Sequence, residues 1–118
     1  MQGYKLKKEQ IISAFGGNTV FNEITTPTIE YTISDFYDAV EEYIEATARS
    51  RGYSNAAILA GYVYSKIPNW KNEAEIFIAW RDSIWVSVFE ILDKAKNEES
   101  ILPKTPLIMI NNLEKINW

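Results

Sequence analysis

The side chains in this sequence that could do chemistry are carboxylates, and they come in pairs: Asp35 with Asp38, Glu41 with Glu42, and Glu98 with Glu99. Two carboxylates work as a general acid and base only where their surroundings separate their pKa values, which requires burial. The first two pairs fall on the polar face of an expected helix and the third in an expected loop, so water is expected to solvate all of them. Other chemistries are excluded by residue type. The chain has no Cys and no His, so it can build no disulfide framework, no zinc site on those ligands and no nucleophile activated by a His base. Gly16–Gly17 lies in no phosphate-cradling pattern, and no calcium loop of the usual acidic spacing occurs. The expectation is a chain without enzyme activity, cofactor or metal.

One charged residue stands apart. Arg81 sits in mid-helix on an apolar seam, beside Asp82 and one turn before Trp85. Its stem is expected to pack on Trp80 or Trp85 and its head to pair with Glu41, Glu45 or an acid of another subunit. Asp82 is disfavoured as partner because adjacent helix positions point about 100° apart.

At 118 residues the chain is one domain by length. Four Trp, seven Tyr and five Phe provide the ring area that a small core needs, each buried ring removing roughly 150–250 Å² from water. A net charge of −4 argues against a nucleic-acid backbone as partner. The densest basic cluster, Lys5, Lys7 and Lys8, is read as solvated. No signal peptide is read at the start of the chain, so synthesis in the cytosol is the expectation.

The elements expected to position these residues are mainly helical. Residues 1–33 are read as an arm or short hairpin: a short helix over 7–15 is stopped by Gly16–Gly17–Asn18, and a strand-like stretch follows over 19–32 with Pro27 in it. A helix is expected from a Ser34 cap, with Phe36, Val40, Tyr43, Ile44 and Thr47 on one face, ending at Gly52. A second, shorter one is expected from a Ser54 cap to before Pro68. A third is expected from an Asn69 cap to about Lys96, with a seam of Ala74, Phe77, Arg81, Ile84, Val88, Ile91 and Ala95. Ile78, Trp85 and Leu92 widen that seam. Trp80, Phe89 and Ile76 lie elsewhere around the helix, so burial by other helices and a second copy of the chain is expected. The apolar run over 76–92 carries Arg81, Asp82 and Glu90 and is too short to span a bilayer, which takes about 20 residues. Residues 34–97 thus form a three-helix domain, and residues 98–118 a Pro-containing tail with a short helix from Pro106 to about Leu113.

Residues 46–53 read ATARSRGY and residues 78–85 read IAWRDSIW. With Tyr64, Ser65, Pro68, Trp70, Glu73 and Ala74 between them, and Pro103, Pro106 and Trp118 after them, they resemble a small module of bacteriophage and prophage tail proteins. That module pairs an ATAxxRGY turn with an AWRDxxW helix, and occurs in proteins associated with tail fibres and their assembly. The likeness covers residues 34–118. It departs from the pattern in the Asn- and Ile-rich segment that separates Leu102–Pro103 from Trp118.

The resemblance implies a non-enzymatic tail-associated protein that binds a tail-fibre chain and assists assembly, in the host cytoplasm or in the virion tail. The alternatives are a structural component of the virion tail and a host-directed prophage binding protein. Arg51, Gly52, Tyr53, Trp80, Arg81, Asp82 and Trp85 are read as structural motif residues. Phe21, Ile29, Tyr31 and Trp118 are the candidate partner contacts. A tail protein and further copies of the chain are the expected partners, with no nucleic acid and no membrane.

Overall fold

The computed structural model describes residues 4–6 and 29–118, with side chains from residue 30 onward. The expected helix over 7–15, its Gly–Gly–Asn stop, Lys7, Lys8, Pro27 and Phe21 lie outside the described residues. The elements are β1 (Tyr4–Leu6), β2 (Ile29–Tyr31), α1 (Ile33–Ser50), α2 (Ala56–Gly61), a 3-10 turn (Tyr62–Tyr64), α3 (Pro68–Lys96) and α4 (Pro106–Asn111). The fold is mainly α with a long third helix, as the periodicity predicts. The chain divides into two units, residues 1–37 and 38–118.

In the first unit β1 and β2 pair antiparallel, with Tyr4 opposite Tyr31, Lys5 opposite Glu30 and Leu6 opposite Ile29. The cap of α1 is Thr32, not Ser34. Thr32 Oγ1 accepts from the Asp35 N–H at 3.2 Å, and Asp35 Oδ2 accepts from the Thr32 N–H at 2.7 Å. This reciprocal box satisfies two donors at once, which is why the chain selects Thr with an acid three residues on. Asp35 is accordingly buried, so it is not the solvated carboxylate expected of it. Phe36 is fully buried and meets the Tyr31 ring edge-on, centroids 6.3 Å apart.

In the second unit α1 buries Val40, Ile44 and Ala48, the i, i+4, i+8 stripe of a helix face. Gly52 ends the helix at φ 98°. Its N–H reaches the Arg49 carbonyl at 2.9 Å, and the Tyr53 N–H reaches the Ala48 carbonyl at 3.2 Å. That pair of bonds is the Schellman closure, and Gly takes the left-handed position without a Cβ penalty. α2 is capped by Asn55, not Ser54. Asn55 Oδ1 accepts from the Ile58 N–H, and Glu45 Oε1 accepts from the Ala56 N–H, both at 2.8 Å.

α3 starts at Pro68, ahead of the expected Asn69 cap, with Ile67 at the cap position and no side-chain acceptor there. Pro carries no N–H and is preset for the first helical position. The helix buries Glu73, Ala74, Phe77, Trp80, Ile84, Val88 and Leu92. Trp80 and Leu92 therefore replace the expected Arg81 and Ile91 in the seam. Positions three and four residues on both lie near one face of a helix, and here Trp80, at i+3 from Phe77, and Leu92, at i+4 from Val88, take the inward places. Val86 and Phe89 stand on the outer face, 62% and 53% exposed. Among the described residues no helix is long and apolar enough to cross a membrane.

α3 closes with the same pair of bonds as α1, the Glu98 N–H to the Ala95 carbonyl at 3.1 Å and the Glu99 N–H to the Lys94 carbonyl at 2.8 Å. Here the left-handed residue is Glu98, at φ 61°. A side chain there costs about 1–2 kcal/mol, part of which Gly would return as unfolded-state entropy. Glu98→Gly is expected to stabilise the chain by about 0.5–1 kcal/mol, read as a higher urea midpoint with unchanged slope. α4 begins at Pro106 after Thr105, whose Oγ1 accepts from the Ile108 N–H at 3.1 Å. It delivers Met109 and Ile110, and beyond them Leu113, into the core.

Candidate functional site

Two polar side chains of the second unit converge on Glu73. It lies in the second turn of α3, four residues before Phe77 and seven before Trp80, so helical spacing carries it inward with them. A carboxylate so placed needs partners. The Schellman turn after α1 supplies them. Gly52 reverses the chain so that the side chains on either side of it, Arg51 and Tyr53, both reach α3.

Glu73 Oε2 accepts from Arg51 Nε at 2.7 Å and from Nη2 at 2.6 Å, and Oε1 accepts from the Tyr53 hydroxyl at 2.7 Å. These hydrogen bonds, Arg51 first and Tyr53 second, hold the Glu73 carboxyl below its ordinary pKa against the opposing effect of burial. Burial, and then the bond to Glu73, push the Tyr53 phenol up to about 12. Burial also raises Tyr43.

Rings surround this cluster. Tyr53 lies 5.8 Å from Tyr62, and Tyr62 lies 4.6 Å from Trp70. Together with Arg51, Ser54 and Asn69 they line an open depression of about 330 Å³. On the other side the Arg51 guanidinium sits over the Trp118 ring, 5.1 Å from its centroid, and Trp118 stacks on Phe77 at 6.3 Å. Trp80 meets Tyr43 of α1 edge-on at 5.4 Å and donates its indole N–H to the Glu114 carbonyl at 2.9 Å.

A second concavity, of about 250 Å³, lies between α3 and the tail and includes Ile91, Ile101, Pro103 and Met109. The tail beside it is apolar and outward-facing: Ile101 is 92% exposed and Leu107 66%.

Of the expected motif residues, the structure brings Arg51, Gly52 and Tyr53 together around Glu73. Trp80 is buried on the same helix. Trp85 is half-buried, its ring 5.6 Å from that of Phe89. Arg81 corrects the expectation made for it: its Nε donates to Asp82 Oδ1 at 3.0 Å, while Glu45 is engaged by the Ala56 N–H. The long Arg side chain folds across to its neighbour because both sit where water already screens them, and such a pair contributes about 0–1 kcal/mol.

Of the candidate partner contacts, Trp118 is packed on its own unit and Tyr31 is half-buried against Phe36, while Ile29 is placed by its backbone alone. Sequence reading missed Glu73 as the centre of the cluster, placing it only among the residues between the two motif stretches. The signal was its helical register with Phe77 and Trp80.

Among the described residues, no buried side-chain nitrogen or oxygen lacks a hydrogen-bond partner, and no group of three or more acidic side chains is placed to hold a metal ion. Comparison with protein-family models, with curated proteins and with solved structures finds no match for this chain.

Proposed function

We propose that this chain is a non-enzymatic tail-associated protein of a phage or prophage, which binds a tail-fibre chain and assists its assembly. One observation carries the reading. The buried carboxylate of Glu73 is used by Arg51 and Tyr53, whereas apolar side chains of the tail, Ile101 and Leu107, face solvent. Exposed aliphatic groups beside a concavity suit capture of another polypeptide. The ATARSRGY and IAWRDSIW stretches supply the tail context by resemblance. Self-association belongs to the same reading, through the outer face of α3 at Val86 and Phe89, and light scattering is expected to give more than one copy per particle.

The test is co-expression with the tail-fibre chain of the same phage or prophage. The fibre chain is expected to co-purify with this protein, and this protein to be absent from purified particles. Stoichiometric presence in particles would replace assembly by a structural role in the virion tail. Failure to capture the fibre would sink the proposal.

A further inference from the structure

We infer that residues 113–118 form an exchangeable strap, and that the groove beneath them accepts the same segment in trans from a second copy of this chain. Among the described residues, the backbone of residues 114–118 makes no backbone–backbone hydrogen bond. The segment is held instead by side chains at its two ends and one bond between them. Leu113 is buried at one end, Trp118 stacks on Phe77 and lies under the Arg51 guanidinium at the other, and the Glu114 carbonyl accepts from the Trp80 indole.

The walls of the groove do not depend on the strap. Phe77 and Trp80 stand on a continuous helix, the Tyr43 ring braces Trp80, and Glu73 holds Arg51. A segment with few backbone bonds on a scaffold with many opens below the free energy of global unfolding.

What the groove recognises is a pattern: an aliphatic side chain, a carbonyl next to it, and a ring five residues on that stacks on Phe77 and lies under a guanidinium. Nothing in that pattern requires the segment to come from the same chain. In cis the tether gives the segment an effective concentration in the millimolar range, so each copy keeps its own strap in dilute solution and exchange between copies appears as concentration rises.

The test uses a chain ending at Asn112 and a fluorescently labelled synthetic peptide of residues 113–118, with anisotropy as readout. Saturable binding is expected, and a peptide carrying Trp118→Ala should bind about tenfold more weakly or worse. No saturable binding to the folded shortened chain, or equal binding of both peptides, overturns the inference. A full-length Trp118→Ala variant, which keeps Leu113 and every helix, provides a second receptor should the shortened chain fail to fold. It must also take up the unsubstituted peptide, and failure to do so overturns the inference independently. None of these measurements involves a fibre chain, so the outcome is separate from that of the function proposed above.

Discussion

Replacing Trp80 by Ala is expected to cost about 3–5 kcal/mol for the lost ring and the cavity it leaves, with about 1 kcal/mol more for the stranded Glu114 carbonyl. Trp80 is the point at which three parts of the second unit meet: it stands on α3, touches α1 through Tyr43, and anchors the strap through its indole N–H. A domain of this size has roughly 5–15 kcal/mol in total, so the variant should lose a large share of its stability, with a thermal midpoint lower by well over about 10 °C. Trp80→Phe separates the two contributions. It keeps a six-membered ring but loses the N–H and two pyrrole carbons, so a loss of about 2–3 kcal/mol is expected. Urea denaturation of the two variants measures both; equal losses would mean that the indole bond, not the ring, is what matters.

Glu73→Ala is the second large effect, about 2–4 kcal/mol. It removes the acceptor for Arg51 and Tyr53 together. The figure stays at that level because the Arg51 side chain is 44% exposed and water rehydrates part of its charge. Glu73→Gln keeps the shape and removes the charge, and shows the pH dependence.

The Glu73 carboxyl is held below its ordinary value of 4.5 in the fold. Its stabilisation is therefore complete above that value and declines as pH falls through the lower, folded pKa. The gap between wild type and Glu73→Gln should be widest near neutral pH and close in acid. Tyr53 works at the other end. Its folded pKa of about 12 exceeds the ordinary 10.0, so its contribution is complete below pH 10 and lost as pH rises towards 12. Urea midpoints across the pH range check both limbs. A gap for Glu73→Gln that widens in acid would contradict the arrangement.

The helices were legible in the sequence because their signals are local. Phe36, Val40 and Ile44 recur at helical spacing, Gly52 marks a left-handed stop, and Pro106 marks a start. The caps were less legible, since Thr32, Ser34, Asn55 and Ser54 are all good cap residues and only the reciprocal bonds decide between neighbours. Arg81 and Trp80 exchanged roles because i+3 and i+4 from Phe77 both fall near its face of the helix, and spacing alone does not choose between them.

The Glu73 cluster was half legible. Arg51, Gly52 and Tyr53 were recognisable as a motif, but their shared acceptor is 20 residues or more away, and no local rule links a turn to the second turn of a later helix. The strap was not legible: Trp118 was read as a candidate partner contact, whereas it stacks on Phe77 of its own unit. Its place depends on Trp80 and Phe77 offering a groove that exists only once α1 and α3 have met.

The central claim is that the Arg51–Glu73–Tyr53 cluster serves the fold while the exposed tail serves the partner. Fibre capture by two variants tests it most directly. Tyr53→Phe should lose about 1–2 kcal/mol of stability and still capture the tail-fibre chain at wild-type yield per folded molecule. Leu107→Lys should leave stability nearly unchanged and reduce capture. The reverse pattern, with Tyr53→Phe folded but unable to capture and Leu107→Lys fully competent, would contradict the account.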